Sequence, residues 1–476
     1  MIKLTTSEKA NPNYLATICR VEKIYPLENS DFLVKTIING YDMIISKDTK
    51  PGSIVVYFPC ESQICDKYLS MNNLYEASEY ERNSNADMVK ELVSKTINHS
   101  IDVIREHSGF FNKHGRVRMI KLRGHYSQGF IAGVDTLQKA FPELEGCNWE
   151  ELVGTKFNMI GEEQLVQKYI PFIKTSNANH DQSHWKHRMK QIKKFDKLIP
   201  GQFVFHYDTV HLAEHVKEIS PNDIITISTK VRGTSHIMSN ILCKRKLNWL
   251  QKLGVILGFP VETEEYSNIY SSRSVIKNRY ITQSNSTGFY EKDIWGCVNR
   301  DFEYLLKPGM TVYGEIVGYI EDSQTMIQKN HDYGCRPGQW KFMPYRITST
   351  IEDEKIEWEL IDVWRWTMNV IEQNPQLKEK ILPIEILYQG KAADLYPDLK
   401  IDDDWHNEFL ERLKTDKNHH MEEMEPMCKN KVPREGVVIR IENDKFKRAW
   451  QVKCKSHYML ETKAHDAGEV DIEETA

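Results

Sequence analysis

A lysine at the end of a β-rich run is the residue of this sequence with the most specific chemistry. Ile224-Ile225-Thr226-Ile227 predicts a strand, Lys230 follows it, and Gly233 comes three residues later. A lysine at a strand end faces a cleft, and a desolvated site or a neighbouring cation makes it a nucleophile near neutral pH. Gly233 would let the backbone approach a nucleotide closely. The pattern recurs at Lys121 and Gly124, so either lysine alone is better explained as a surface residue.

Two carboxylates and a lysine pair follow this lysine along the chain. Glu315 lies between two strand-like runs, and Glu435 directly precedes the apolar run of residues 437–441. Lys453 and Lys455 alternate with a cysteine, and the period of two predicts both ammonium groups on one face of a strand. Singly, each is better explained as a surface or strand-end residue. Together they suit a lysine nucleophile, carboxylates that hold ribose hydroxyls or hydrated Mg²⁺, and cations that offset phosphate charge.

The order of a lysine, two glutamates and a K-x-K pair resembles the covalent nucleotidyltransferase superfamily of polynucleotide ligases and mRNA capping enzymes. Arg273 resembles the arginine that meets nucleotide or RNA phosphate in RNA ligases, although a loop arginine explains it equally well. Tyr345 resembles the aromatic residue that stacks on adenine, although an aromatic residue in a strand belongs more often to the core. The resemblance implies that the nucleotide-binding residues are Lys230, Gly233, Arg273, Glu315, Tyr345, Glu435, Lys453 and Lys455.

The position of the extra module distinguishes branches of this superfamily. DNA ligases and capping enzymes carry a C-terminal OB domain after the K-x-K pair, and only residues 456–476 remain here. The short apolar runs of residues 14–60 and the segment 123–129 are similar instead to the N-terminal OB-type module of Deinococcus-type nick-sealing RNA ligases. The resemblance therefore implies an ATP-dependent RNA ligase that acts in RNA repair.

Similarity to that family implies a reaction in three steps. Lys230 attacks the α-phosphate of ATP to form lysyl-AMP and pyrophosphate, AMP passes to a 5′-phosphate at a break, and a 3′-hydroxyl displaces AMP. Mg²⁺ or Mn²⁺ would serve each step, with Glu315 and Glu435 positioning ribose or the metal, directly or through water. Lys453 and Lys455 would contact the triphosphate and help to expel the leaving group.

The elements that position these residues predict an α+β chain. Residues 1–150 are expected to form an OB-like β-barrel that binds nucleic acid, and residues 151–200 a linker with a basic stretch. Residues 201–476 are expected to form the nucleotidyltransferase domain, in which helices flank two antiparallel sheets. Within that domain, 367–425 is predicted to be a helical insertion and 465–476 a disordered acidic tail.

The predicted linker carries a run of cations. A solvated segment is the more common explanation of such a run, and phosphate contact is the alternative, because neutralised phosphates release counterions. Trp185 and Phe195 favour the second explanation, since aromatic residues among cations stack on bases. The residues predicted to contact nucleic acid are Arg273, Lys186, Arg188, Lys190, Lys193 and Lys194.

The composition excludes several other classes of protein. A chain of 476 residues exceeds one ordinary core, so two domains are expected. Hydrophobic residues make up 40% and charged residues 28%, which is too apolar for a chain that is disordered throughout. The 9 cysteines include no C-x-x-C pair, so neither a disulfide framework nor a zinc ribbon is indicated.

The hydropathy pattern predicts a protein that does not associate with membranes. The mean hydropathy is -0.55, and no apolar stretch reaches the roughly 18 residues of a membrane span. Met1 to Thr5 lacks the apolar core of a secretory signal, so an intracellular location, cytoplasmic or nuclear, is expected. The net charge of -5 says little about partners, because they respond to local fields. The expected partner is RNA or an RNA-containing nicked duplex, bound by a monomer.

Two other functions stay open at this point. A GTP-dependent mRNA capping guanylyltransferase would share the lysine chemistry. A non-catalytic RNA-binding protein would keep the basic residues beside a vestigial nucleotide pocket.

One departure from the family pattern also bears on the site, because Arg232 stands where an acidic or small polar residue usually precedes the motif glycine. The contact made by position 232 is therefore not assigned from the sequence.

Overall fold

The computed structural model describes most of the chain, namely residues 4–8, 10–28, 30–95, 100–170, 198–206, 209–273, 275–277, 293–351, 354–444 and 447–466. These residues form two compact units. The first unit contains the described residues between 4 and 170, with 210–216 and 458–466. The second unit contains the described residues between 198 and 209 and between 217 and 457.

The first unit combines short strands with short helices. Its strands are β1 (Leu4–Thr5), β2 (Ala16–Arg20), β3 (Ile24–Pro26), β4 (Leu33–Ile38), β5 (Tyr41–Ser46), β6 (Ile54–Phe58), β7 (Ser62–Ile64), β8 (Ile120–Leu122), β9 (His125–Ser127), β10 (Phe130–Gly133), β11 (Lys156–Phe157), β12 (Met159–Ile160), β13 (Glu163–Gln164), β14 (Val166–Lys168) and β15 (Val210–His211). Its helices are α1 (Asp66–Met71), α2 (Ala86–Ser94), α3 (Ser100–Glu106), α4 (Asp135–Ala140) and α5 (Trp149–Leu152).

The β4–β5 hairpin shows how the local sequence sets these strands. Ile38 pairs with Tyr41, so the loop consists of Asn39 and Gly40 alone, at φ 50° and 76°. Asparagine followed by glycine favours this two-residue turn, because both positions need a positive φ. Side chains of β4 then alternate between partly exposed and buried, with Val34 among the buried ones. The hairpin therefore buries one face, as the sequence pattern predicts.

The strands of the first unit form separate sheets. Their orders are β10-β6-β2-β11, β3-β4-β5, β1-β12-β13, β14-β7 and β8-β9. Several strands are only 2 or 3 residues long and pair with a single neighbour. Within the described residues these pairings do not close into a ring, so the sequence prediction of short strands is confirmed but the predicted barrel is not seen. The core between the sheets includes Phe58, Phe111, Phe141 and Phe157.

The second unit has longer strands. They are β16 (Ile224–Lys230), β17 (Thr234–Lys244), β18 (Glu264–Ser271), β19 (Ile276–Lys277), β20 (Met310–Gly318), β21 (Trp340–Ile351), β22 (Glu354–Glu357), β23 (Ile386–Lys391), β24 (Gly436–Ile441) and β25 (Ala449–Lys453). The helices that follow α5 are α6 (Trp249–Ile256), α7 (Ile294–Phe302), α8 (Leu360–Gln373), α9 (Ala392–Leu395), α10 (Trp405–Thr415) and α11 (Lys455–Asp466). Residues of α11 from Tyr458 onward belong to the first unit.

Two antiparallel sheets organise the second unit. One has the strand order β25-β24-β16-β23, and the other has the order β19-β18-β17-β20-β21-β22. The two strand-like runs around Glu315 are one strand, β20, whose pairing with β21 shifts register between Tyr313 and Gly314. The prediction of a mixed α and β chain with several sheets is therefore confirmed.

Helices α7 and α8 pack on the larger sheet. Phe302 of α7 and Val363 and Val370 of α8 are buried with Phe342 of β21 in one hydrophobic cluster. Val363 and Val370 are seven residues apart, which places both on one face of the helix. Truncation of a buried phenylalanine such as Phe342 costs about 3–5 kcal/mol of stability. This core holds β20, and therefore Glu315, in place.

Residues 367–425 differ from the helical insertion that the sequence predicts. They include the end of α8 and all of α10, but also the strand β23. β23 pairs antiparallel with β16, with Ile225 opposite Gly390 and Ile227 opposite Tyr388. The run Ile386-Leu387-Tyr388 has β-forming side chains that the charged surroundings obscure in the sequence. The region therefore contributes an edge strand to the sheet that carries Lys230.

Candidate active site

The register of three neighbouring strands brings two of the predicted lysines together. Lys230 of β16 lies opposite Gly436 of β24, and Gly436 lies opposite Lys453 of β25. Gly436 has a φ of 145°, and a Cβ there would lie 2.0 Å from the carbonyl oxygen of Val452. Only glycine therefore permits this approach of β24 to β25. Adjacent strands lie about 4.8 Å apart, and only β24 separates the strands of Lys230 and Lys453 at this register position.

Glu435, directly before that glycine, connects the two lysines. Lys230 Nζ donates to Glu435 Oε1 at 2.6 Å, and Lys453 Nζ lies 3.9 Å from the same oxygen. Burial by itself would raise the pKa of Glu435, but nearby positive charge, that of Lys230 first, lowers this pKa to about 2. Glu435 is therefore ionised at neutral pH. Its contact favours the ammonium form of Lys230, so the lysine must leave Glu435 before it can act as a nucleophile.

Glu315 lies beside the turn that follows β16. It pairs in register with Ser235 of β17, whose Oγ donates to Glu315 Oε1 at 3.1 Å. A Cβ at Gly233 would lie 2.6 Å from the carbonyl oxygen of Ile316 and 3.1 Å from Glu315 Oε2. The sequence assigned Gly233 to the close approach of a nucleotide, whereas its close neighbour in the structure is β20. Gly233 thereby lets the lysine turn pack against the strand of Glu315.

Lys455 does not lie on a strand. β25 ends at Lys453, and Lys455 is the first residue of α11. The backbone N–H groups of Lys455 and Ser456 donate to the two carboxylate oxygens of Glu422 at 2.5 and 3.0 Å. An acceptor at a helix start satisfies amides that the helix itself leaves without partners. The prediction that both lysines alternate along one strand face is therefore wrong, because a helix start interrupts the strand period.

A cavity of about 120 Å³ opens beside Lys230. Its lining includes Lys230, Glu315 and Tyr345, together with His206 and Thr229. Tyr345 Oη lies 3.1 Å from His206 Nδ1, and the two rings meet edge to face with centroids 5.7 Å apart. The apolar part of this lining suits a flat ring, and the hydroxyl and imidazole supply polar contacts at its edge. The structure thus brings Lys230, Glu315 and Tyr345 to one cavity.

His206 is a residue of this cavity to which the sequence assigned no role. Burial lowers the pKa of its imidazole to about 3, assisted by the positive charges of Arg273, Arg346 and Lys230. His206 is therefore neutral at physiological pH and can both donate and accept a hydrogen bond. The sequence carried a signal, because residues 203–209 resemble the strand and turn that edge the adenine pocket in the superfamily, but the resemblance assigned no atoms there.

Acidification should destabilise the protein through His206. Because the folded-state pKa of about 3 lies below the ordinary 6.5, the stability that neutral His206 provides is complete above pH 6.5. That stability is lost as the pH falls toward 3. Between about pH 7 and pH 5, His206→Asn should therefore lose about 1 to 2 kcal/mol less unfolding free energy than the wild type. Urea unfolding at both pH values measures this difference, and an equal loss in both proteins would contradict it.

Arg273 follows β18 and lies near this cavity. β18 ends at Ser271, and the charge of Arg273 acts on the His206 imidazole as described above.

The cavity has a second group of arginines that the sequence did not single out. Arg346 Nη2 lies 2.8 Å from Glu357 Oε2, and Arg440 Nη1 lies 3.5 Å from Glu357 Oε1. These mostly buried ion pairs join β21, β22 and β24 along one wall of the cavity.

The carboxylates of Glu315 and Glu435 could hold a divalent metal. Mg²⁺ and Mn²⁺ prefer hard oxygen donors, and both residues supply them close to Lys230. Glu435 is ionised, as its lowered pKa requires. Glu315 has one oxygen engaged by Ser235. The donor types at the site therefore fit such an ion.

Some predicted residues lie outside the described part of the chain. They are the basic residues Lys186, Arg188, Lys190, Lys193 and Lys194, which fall between residues 171 and 197, and the acidic tail from residue 467 onward. Among the described residues, no helix combines the length and the apolar character that crossing a bilayer requires.

Solved structures of an RNA ligase from Naegleria gruberi resemble the whole chain. A mutant of that ligase with ATP and manganese is 15% identical at a TM-score of 0.53, and the match covers 96% of this chain and 99% of that one. A mutant without ligand is 16% identical at 0.54, covering 94% and 98%, and the ligase with pyrophosphate is 16% identical at 0.51, covering 94% and 99%. The chain has an RNA-ligase fold. The predicted ligase nucleotidyltransferase fold is thereby confirmed.

The RNA-ligase fold is visible in the structure but not in sequence comparisons. No protein-family model matches the chain, and no curated protein matches it. At about 15% identity, the likeness lies in the arrangement of the strands and helices rather than in the amino-acid sequence.

Proposed function

We propose that this chain is an ATP-dependent RNA ligase that seals breaks between a 3′-hydroxyl and a 5′-phosphate through a lysyl-AMP intermediate. The observation that carries the proposal is the contact of Lys230 and Lys453 with one carboxylate oxygen of Glu435, next to a cavity lined by Glu315 and Tyr345. The solved structures with the same fold are of an RNA ligase with ATP and Mn, with AMP and Mn, or with pyrophosphate. Both observations favour a nucleotide-dependent ligase.

In the first step, the Lys230 amine would attack the α-phosphorus of ATP. A P–N bond forms, the bond between the α-phosphorus and the bridging oxygen breaks, and pyrophosphate leaves. The Lys230 amine, which donates to Glu435 at 2.6 Å, must first leave this carboxylate and lose its proton to solvent or a bound phosphate. Lys453 and Lys455 would offset the charge of the triphosphate.

The later steps would use the same groups on a nucleic acid. A 5′-phosphate oxygen displaces Lys230 from AMP, and a 3′-hydroxyl then displaces AMP to form the phosphodiester. Arg273 would meet phosphate at the edge of the cavity, and Tyr345 would stack on the adenine. Glu315 and Glu435 would hold Mg²⁺ or Mn²⁺, which supplies charge compensation at the phosphate oxygens.

The remaining assignments extend this proposal to the whole chain. Residues 1–150 would act as the OB-type nucleic-acid module of a Deinococcus-type ligase, 151–200 as a basic linker, and 201–476 as the adenylyltransferase domain. The ligase would work as a monomer inside the cell. The first unit is proposed to bind the nicked duplex.

Covalent labelling with nucleotide tests the proposal. Purified protein is incubated with α-³²P-labelled ATP or GTP and Mg²⁺, and an acid-labile, alkali-stable protein adduct is measured. Labelling by ATP supports the ligase. Labelling by GTP alone would replace it with a capping guanylyltransferase, and no adduct with either nucleotide would favour a non-catalytic RNA-binding protein.

A further inference from the structure

Arg232 makes two bonds that tie the turn after β16 to other parts of the second unit. Its backbone N–H donates to Tyr333 Oη at 2.8 Å, and its Nη1 donates to His457 Nε2 at 2.9 Å. Tyr333 is 2% exposed and His457 is fully buried. Packing fixes both partners, so the two bonds hold Arg232 in one position.

The bond to His457 determines which nitrogen of that imidazole carries the proton. A guanidinium has only donors, so His457 Nε2 must be the acceptor and the ring proton must lie on Nδ1. A carboxylate at position 232 would instead need the ring proton on Nε2. The residue at position 232, which departs from the family pattern, thus sets the tautomer of His457.

This bond joins the two chain segments that carry the clustered lysines. Arg232 lies two residues after Lys230, and His457 lies four residues after Lys453. Lys230 and Lys453 also meet at Glu435, at 2.6 and 3.9 Å. The Arg232–His457 bond therefore closes a ring of contacts that runs through Lys230, Glu435 and Lys453.

A buried loop supports the same turn from its other side. Gln328 Nε2 donates to the carbonyl oxygen of Gly233 at 2.8 Å. Gln328 and His331 are 4% and 2% exposed, and the His331 ring lies 6.2 Å from the ring of His457. Neither end of the Arg232–His457 bond can move without disturbing this packing. The direction of the preceding lysine side chain therefore depends on that bond.

We infer that Arg232 and His457 are positioning residues that set how the Lys230 amine meets the α-phosphate, an inference that rests on the proposed function. Attack requires the reacting atoms at about 3–3.5 Å in line, and a displacement of about 1 Å costs roughly 100-fold in rate. Lys230 and Val231 line the cavity, but the part proposed to hold the base, with His206 and Tyr345, lies on other elements, so nucleotide affinity should depend little on the pair. Loss of the bond should slow the chemical step and leave the KM for ATP nearly unchanged.

Two substitutions of His457 separate positioning from packing. The full chain is assayed for the rate of adduct formation at saturating ATP and for the KM for ATP. Glutamine can accept from Arg232 through its Oε1 and leucine cannot, so His457→Gln should stay within about 3-fold of the wild-type rate. His457→Leu should be roughly 10- to 100-fold slower, with its KM changed less than about 3-fold. Arg245→Leu, which removes an exposed guanidinium paired with Glu262, is the matched control and should label at the wild-type rate.

The double variant tests whether the two residues act as one pair. Arg232→Leu should be as slow as His457→Leu, and the double variant no slower than either, because each of the three variants loses the same Arg232–His457 hydrogen bond. Equal rates for His457→Gln and His457→Leu would overturn the inference, as would a double variant whose rate loss is the product of the single losses. If His457→Leu does not fold, Arg232→Gln and Arg232→Leu give the same comparison at position 232, which is partly exposed. A wild type without any adduct would instead overturn the proposed function.

Discussion

Lys230→Arg should form no covalent adduct with ATP. Arginine keeps the positive charge that pairs with Glu435, so the buried carboxylate stays compensated and the fold is preserved. Its guanidinium cannot lose a proton near neutral pH, however, and so cannot attack phosphorus. The signal in the ATP-labelling assay should fall to background. The same variant should still seal a nicked duplex whose 5′ end already carries AMP, because that step no longer needs the lysine as a nucleophile.

Lys121→Arg is the matched control for this variant. Lys121 belongs to the second K-x-x-G pattern, is exposed, and lies 4.9 Å from the centre of the Tyr126 ring. It lies in the first unit, whereas Lys230 lies in the second. The control should label like the wild type. If Lys121→Arg lost the adduct and Lys230→Arg kept it, the active site would be in the first unit and the assignment would be wrong.

Glu435→Gln should reduce the rate of adduct formation by about 100-fold or more. The amide keeps the shape of the side chain but removes the charge that Lys230 and Lys453 share. It also removes an oxygen donor suited to a divalent metal. The single-turnover rate of labelling, measured over a series of Mn²⁺ concentrations, reports both effects. The Mn²⁺ concentration required for half-maximal rate should rise.

Glu385→Gln provides the comparison for the loss of one carboxylate. The Glu385 side chain is 48% exposed and pairs with Arg434 at 3.2 Å. Arg434 directly precedes Glu435 in the sequence. Neutralisation of Glu385 should leave both the labelling rate and the Mn²⁺ requirement within about 3-fold of wild type, since solvent screens this half-exposed carboxylate even though its partner Arg434 is buried. Equal losses in the two variants would show that Glu435 acts only through the general charge of the region.

The residues in direct contact with Lys230 could be predicted because strand periodicity and motif order both constrain them. The strand before Lys230 and the strand after Glu435 are β-rich runs, and their pairing follows from the antiparallel sheet. Lys455 could not be placed, since nothing in the sequence marks the point where β25 ends and a helix begins. β23 was missed for a similar reason, because a strand of six residues lies within a long charged region.

The residues that the sequence missed act through contacts between distant segments. His206 and Tyr345 are 139 positions apart and meet at 3.1 Å, and Arg232 and His457 are 225 positions apart and meet at 2.9 Å. Local propensity carries no information on such pairs, which form only when distant segments of the chain have folded together. The function of Gly233 was also unpredictable in detail, because its close neighbour is another strand of the protein.

Mapping the modified residue is the most direct test of the central claim. Wild-type protein labelled with ATP and Mg²⁺ is digested at neutral to alkaline pH, and the peptide that carries AMP is sequenced by mass spectrometry. The proposed mechanism predicts AMP on the Nζ of Lys230, with loss of the label in mild acid. AMP on Lys121, on a different residue, or bound only non-covalently would contradict it.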